Sequence, residues 1–195
     1  MNAIIILAAG ASSRLGTPKQ NLNYNGETLL QTAITQAKRV SKTVLVVLGA
    51  NRENIEFSVK DQSIEVLYNP QWPEGMASSI RLAIEKISND YLQVSSATIM
   101  LCDQPHADSI LLKQLADSAL KVDKGIVASA YKNTVGAPAL FKRKYFPYLL
   151  ALNGTEGAKK LLDQHADDMV SIEFPLGAID IDTPTDWKQF TADNK

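Results

Sequence analysis

The chain has 195 residues, 45% of them hydrophobic, and its 20 basic and 21 acidic side chains leave a formal net charge of −1. That balance gives no global field for holding DNA, RNA or an anionic membrane, so any anionic ligand must be met by local charges. The length suits one domain spanning 1–195, the single Cys102 excludes an internal disulfide framework, and no apolar run approaches the roughly 20 residues of a membrane span. With no Lys or Arg before the apolar stretch from Ala3 to Ala11, that stretch reads as a strand rather than a leader, and the expected location is the cytoplasm.

Ile4, Ile5, Ile6 and Leu7 form a continuous apolar run without helical period, which predicts a buried strand. The chain then turns through Ala9, Gly10, Ala11, Ser12 and Ser13, whose short side chains let backbone N–H groups approach a ligand, and continues to Arg14 and Lys19. Oriented N–H donors beside two cations suit a polyphosphate. The spelling is not a Walker loop, because Lys19 is followed by Gln20, and not a dinucleotide fingerprint, because Gly10 is next followed by Gly16 and Pro18 obstructs an immediate helix. Taken alone, these residues also fit a plain turn carrying two solvated cations.

Thr28 to Val40 places Leu29, Leu30, Ala33, Ile34 and Ala37 at helical spacing, with Lys38 and Arg39 at the end that favours cations. A strand over Thr43 to Leu48, a short helix capped by Asn51 and reaching about Val59, and a strand over Ile64 to Tyr68 follow. Next come a helix from Met76 to Ile87 and a buried strand from Ala97 to Leu101. This βαβαβαβ order predicts a mostly parallel sheet with right-handed crossovers and a ligand beyond the carboxyl ends of the strands. Further on we expect a helix capped by Asp108 and ending near Lys121, and a strand over Gly125 to Ala130. A polar turn over Tyr131 to Gly136, a strand over Ala137 to Phe141 and a short helix over Lys142 to Leu150 interrupted by Pro147 come next. Glu156 to His165 reads as a helix and Met169 to Phe174 as a late strand. Thr183-Pro184-Thr185-Asp186 has the form of a helix start, with proline first and an acid three residues after the cap.

Two acids stand where a metal could be held. Asp103 directly follows a buried strand, and a carboxylate there would face the same rim as the first loop; a turn-forming acid before Pro105 fits the same spelling. Asp180 and Asp182 alternate and so share one face, and two carboxylates plus phosphate oxygens make an ordinary Mg2+ site. Between the first loop and Asp103, Asn69-Pro70-Gln71-Trp72-Pro73-Glu74-Gly75 forces a loop, after which a helix points its N–H groups, with Ser78 and Ser79, at whatever binds there. Cys102 and His106 are neighbours, but a thiol ending a buried strand reads as packing, and with His165 they lack zinc-site spacing.

Leu7-Ala8-Ala9-Gly10, Ser13-Arg14, Leu15-Gly16 and Lys19 resemble the LAAGxSxRMGxxK signature of the MobA-like nucleotidyltransferases, most nearly their molybdenum cofactor cytidylyltransferases. Asp103-Gln104-Pro105, Asp182-Thr183-Pro184 and the Asn69 to Ser79 segment resemble further segments of that family, as does Gly136-x-Pro138 with Phe141. The resemblance implies a Rossmann-like three-layer α/β sandwich with a mostly parallel sheet. It implies nucleotide contacts at Leu7, Ala8, Ala9, Gly10, Ser13, Arg14, Lys19, Asn69, Gly75 and Ser79, with Arg14 and Lys19 catalytic. By the same resemblance Gly136 and Pro138 lie on the substrate side and Asp103 and Asp182 hold Mg2+. The implied activity is transfer of CMP from CTP to the phosphate of a molybdenum-bearing pterin (molybdopterin), with a molybdoenzyme or maturation factor as a partner. The same pocket would also suit GTP, a sugar or polyol phosphate, or a non-catalytic chaperone for nucleotide or pterin. The family's GDxGAR segment is Gly154-Thr155-Glu156-Gly157-Ala158-Lys159 here, so an acid becomes Thr155 and an arginine becomes Lys159, a poorer bidentate phosphate ligand.

Overall fold

A computed structural model describes residues 1–59 and 63–193. The first apolar run forms β1 (Asn2–Ala8), whose two faces are both covered. Ile5 and Leu7 pack with Ile80 and Ile84 of a helix on one side, while Ile4 and Ile6 pack with Leu30, Ile34, Leu112 and Leu115 on the other. Cover on both faces is why the run shows no alternation, and each fully buried isoleucine contributes roughly 1.5–3 kcal/mol of transfer free energy.

After β1 come a small hairpin of β2 (Asn23–Tyr24) and β3 (Glu27–Thr28), helix α1 (Leu29–Lys38), β4 (Val44–Leu48), α2 (Arg52–Val59) and β5 (Glu65–Tyr68). Helix α3 (Met76–Asp90), β6 (Ser96–Leu101) and α4 (Ser109–Lys121) complete the alternating half. Thr28 caps α1 through a reciprocal bond pair with Gln31, and the Asp108 carboxylate caps α4 by accepting from the Leu111 N–H. The second half holds β7 (Ile126–Tyr131), β8 (Thr134–Lys142), α5 (Phe146–Leu150), α6 (Lys159–Gln164), β9 (Met169–Glu173) and α7 (Pro184–Asp193).

The seven-stranded sheet has the order β5-β4-β1-β6-β8-β7-β9. Its first four strands are mutually parallel, as is the β7–β9 pair, whereas β8 runs antiparallel to both β6 and β7. The expected α/β class with a mostly parallel central sheet therefore holds.

Four segments differ from expectation, the first being the helix expected over Glu156 to His165, which is confined to Lys159–Gln164. The polar turn expected over Tyr131 to Gly136 is only Lys132 and Asn133, both at positive φ, and Thr134 to Gly136 already belong to β8. Positive φ at two successive residues is the geometry of a tight hairpin, here built without glycine. Pro147 does not interrupt a helix; it sits in the first turn of α5, where its missing N–H costs nothing. Asp180 and Asp182 lie outside any strand, yet they still flank the buried Ile181, so the alternation survives.

Candidate active site

The site is built at the carboxyl ends of β1 and β6. The loop after β1 is held from within by Gln20, which is only 1% exposed and whose Nε2 donates to the carbonyls of Ala8 at 2.7 Å and Gly10 at 3.1 Å. Ser12, at φ +54°, accepts the Leu15 and Gly16 N–H groups at its carbonyl and the Lys19 N–H at its Oγ. The chain thus bends back on itself and delivers Lys19 inward. Neither Gln20 nor Ser12 stands out in the sequence, because a buried polar anchor looks like any surface amide or hydroxyl until its partners are known.

Asp103 follows β6, and its carbonyl accepts the N–H of Ile181 at 3.2 Å. That bond ties the end of the central sheet to the segment carrying Asp182. Behind it, Ile181 packs with Leu29 and Phe190, and at the start of α7 the Asp186 carboxylate accepts the Thr183 N–H while the Thr183 hydroxyl oxygen accepts the Asp186 N–H.

The two distant acids meet on one ammonium. Lys19 Nζ lies 2.5 Å from Asp103 Oδ2 and 2.9 Å from Asp182 Oδ1, and Arg14 lies 2.8 Å from Asp182 Oδ2. Lys19 and Asp103 are largely buried, whereas the Arg14 side chain is 71% exposed while paired with Asp182. Burial alone would pull the Lys19 ammonium down, but its pairing with Asp103 and Asp182 outweighs that and raises it, so it stays charged. The hydrogen bond from Lys19 holds Asp182 below the usual carboxylate range. Asp180 is pushed up to about 6, first by desolvation and then by the negative charges of Asp103 and Asp182. Burial raises the Cys102 thiol far above its ordinary value, which fits an inert packing role.

A cavity of about 340 Å3 opens over Lys19 and Asp103, with Arg14 and Asp182 outside its lining. Leu7, Ala8, Ala9 and Gly10 line it with Lys19, Trp72, Gly75, Ser79 and Asp103. A second cavity of about 240 Å3 adjoins it through the shared Met76 and Leu101, and is lined by Gln104, Tyr131, Gly136, Lys159 and Asp180 among others.

Several expected residues stand elsewhere. Ser13 is exposed and outside the first cavity. Asn69 is buried and spent on the chain itself: its Nδ2 donates to the Ser78 and Ser79 hydroxyls at 2.8 and 2.9 Å, and its Oδ1 accepts the Gln71 N–H. It ties the loop that carries Gly75 to the first turn of α3, which carries Ser79, and stands outside the cavity lining. Pro138 is buried, outside the lining of the second cavity, and its carbonyl accepts from the Ser129 hydroxyl. The first turn of α3 is also less free than expected, since the Ala77 N–H donates to Gly154 O and the Ser78 N–H to Gly75 O.

Gly75 has φ +113°, and a Cβ there would lie 2.5 Å from Gly154 O and 2.6 Å from Thr155 Cα. Gly75→Ala is therefore expected to cost roughly 1–3 kcal/mol or more, read as a lower urea midpoint at unchanged slope. A midpoint within error of the parent would show that the 153–158 segment yields freely.

Residues 4–169 match the model of the MobA-like NTP transferase domain. The chain belongs to that family. It is a nucleotidyltransferase fold with a transferase's architecture, and the resemblance carried by the first loop is borne out over most of the chain. Among curated relatives, the molybdenum cofactor cytidylyltransferase of Escherichia coli K12 is 25% identical over 96% of this chain and 95% of its own. The nicotine blue oxidoreductase of Paenarthrobacter nicotinovorans is 30% identical over 71% of this chain and 66% of its own. Among solved structures, Rv0371c of Mycobacterium tuberculosis H37Rv superposes with a TM-score of 0.82 at 26% identity, covering 98% of this chain and 97% of that one. A complex of that protein with manganese superposes at 0.80 with 23% identity, covering 98% of each chain. No helix among the described residues is long and apolar enough to cross a membrane.

Proposed function

We propose that this chain is a Mg2+-dependent cytidylyltransferase that moves CMP from CTP to the phosphate of a molybdenum-bearing pterin, releasing pyrophosphate, as a single cytoplasmic domain. The observation that carries this reading is the convergence of Asp103 and Asp182 on Lys19 beneath the Gly10 loop. The manganese complex of the Mycobacterium protein and the name of the Escherichia relative agree with it.

The residues fit a divalent cation. Asp103 Oδ1 is buried without a hydrogen-bond partner, an oxygen with unused capacity at the meeting point of two carboxylates. The described residues hold no cluster of three or more His, Cys, Asp or Glu side chains placed for a metal, so the protein's own share is small, as suits an ion that keeps water and phosphate ligands. Asp103 and Asp182 would hold Mg2+, which when bound neutralises charge on the triphosphate oxygens.

The chain's own residues then do the positioning. N–H groups of the Gly10 loop hold phosphate oxygens at the floor of the first cavity, and Arg14 and Lys19 meet the charge that develops on the departing pyrophosphate. An oxygen of the acceptor phosphate attacks the α-phosphorus as the bond to pyrophosphate breaks. That oxygen arrives already ionised, so no general base and no covalent enzyme intermediate are needed. The second cavity adjoins the first and is lined by Lys159 and Asp180, which makes it the natural seat of the acceptor. Its phosphate would meet Lys159 there in place of the family's arginine. A molybdoenzyme or maturation factor is the partner this product would require.

Pyrophosphate release measured with Mg2+, the pterin phosphate acceptor and each of the four ribonucleoside triphosphates tests the reading. We expect CTP to exceed the others by at least about tenfold in kcat/KM. Preference for GTP, or release independent of the acceptor, would contradict it.

A further inference from the structure

Among the described residues, two buried side-chain atoms lack a hydrogen-bond partner, and they belong to consecutive residues: Asp103 Oδ1 and Gln104 Oε1. The first stands at the proposed cation site. The second is not explained by that chemistry, because Gln104 lines the second cavity and not the first.

The amide of Gln104 has a fixed orientation. The residue is 5% exposed, and its Nε2 donates to Ala137 O on β8 at 3.2 Å and to Gly177 O at 3.3 Å. Two carbonyls from separate segments therefore determine which end of the amide is nitrogen, and turning it over would set oxygen against oxygen. Tyr131 and Asp180 lie against the same amide, and neither supplies the Oε1 atom with a donor. An amide oxygen buried without a donor is costly in a folded chain, and the cost is removed when a ligand supplies one. The surroundings favour a flat, partly apolar ligand: Ile99, Leu101, Ala139 and Leu162 form the walls, and Gly136 leaves the space that the Tyr131 hydroxyl occupies.

We propose that Gln104 is a specificity-determining residue for the acceptor, its Oε1 accepting a hydrogen bond from a ring N–H or O–H of the molecule seated in the second cavity. This rests on reading that cavity as the acceptor's. It gives the site two separate duties at the end of one strand, with Asp103 serving the phosphates and Gln104 reading the ring.

The test uses the full chain and 6-hydroxymethylpterin phosphate, a fluorescent probe that carries ring N–H donors and a phosphate arm. Binding is followed by fluorescence quenching, and CTP affinity is measured separately with Mn2+ present. Gln104→Leu is expected to weaken the probe about tenfold to hundredfold while leaving CTP affinity within about twofold. Gln104→Met, unbranched and of similar length, serves as the second variant if the leucine form does not fold, with the thermal melt as the check. Equal probe affinity in wild type and variant overturns the role of Gln104 alone. A parallel loss of CTP affinity also overturns it, since Gln104 would then act only by anchoring Ala137 and Gly177. A wild type that binds CTP but not the probe overturns the acceptor reading itself, and the proposal with it.

Discussion

Asp103→Asn is expected to lower turnover about 100- to 1000-fold, the usual cost of removing one preorganised charge from a reacting centre. Asparagine keeps the shape of the side chain, so the carbonyl of residue 103 still accepts the Ile181 N–H and the sheet end stays tied to the Asp182 segment. What is lost is one of the two negative charges facing Lys19 and the oxygen with spare capacity. Far-UV circular dichroism should therefore match the parent while pyrophosphate release collapses. Near-normal turnover in Asp103→Asn would remove this carboxylate from the proposed cation site.

Lys19→Met is expected to lower turnover comparably and, in the opposite sense, to strengthen Mn2+ binding in the absence of nucleotide by at least about tenfold. The ammonium of Lys19 already occupies the space between Asp103 and Asp182, at 2.5 and 2.9 Å. An ammonium and a divalent ion attracted by the same two carboxylates compete, and close pairs in a partly buried site are little screened by salt. Removing the ammonium leaves the acids uncompensated, which costs stability and raises their appetite for a cation. The melting temperature of Lys19→Met should thus fall without metal and recover when Mn2+ is added. Mn2+ affinity read by electron paramagnetic resonance decides the matter; an unchanged or weaker affinity would place the ion elsewhere.

The half of the fold that sequence reveals is the half where both faces of each strand are covered. Ile4 to Leu7, Thr43 to Leu48 and Ala97 to Leu101 are apolar on both faces because helices lie above and below them, and such runs are visible without any partner. The antiparallel return through β8 is harder to see. Its turn is Lys132 and Asn133, without the Asn-Gly or Gly-rich spelling that marks a hairpin, so Thr134 to Gly136 read as loop rather than strand. Once β8 is inserted beside β6, the sheet closes on a different edge from a fully parallel one, and Ala137 is brought next to Gln104.

The chemistry was legible to a different degree at each residue. Asp103 stands just past the end of β6 and is a visible candidate although a turn-forming acid fits the same spelling, and Lys19, well beyond the end of β1, is a candidate only in company with the Gly10 loop. Asp182 could be paired with them only through the family's spelling, since nothing local says that α7 folds back against Tyr24 and Leu29. Asn69 shows the reverse case: its position within a matching segment suggests a ligand contact, whereas its amide is consumed by Ser78, Ser79 and Gln71. Gln20 was invisible as a functional residue, and Gln104 showed only as part of a family-like segment whose spelling favours CTP, for one shared reason. Each is a buried amide whose meaning lies in carbonyls supplied by other parts of the chain, Ala8 and Gly10 for the first, Ala137 and Gly177 for the second.

The most direct test is the anomalous scattering of manganese in crystals grown with Mn2+ and a CTP analogue whose bond between the α- and β-phosphates resists cleavage. A single manganese peak within ligand distance of carboxylate oxygens from both Asp103 and Asp182, with Lys19 turned away from them toward the phosphates, is the predicted result. A manganese bound to the nucleotide but out of reach of either acid, with Lys19 still bridging the pair, would contradict it.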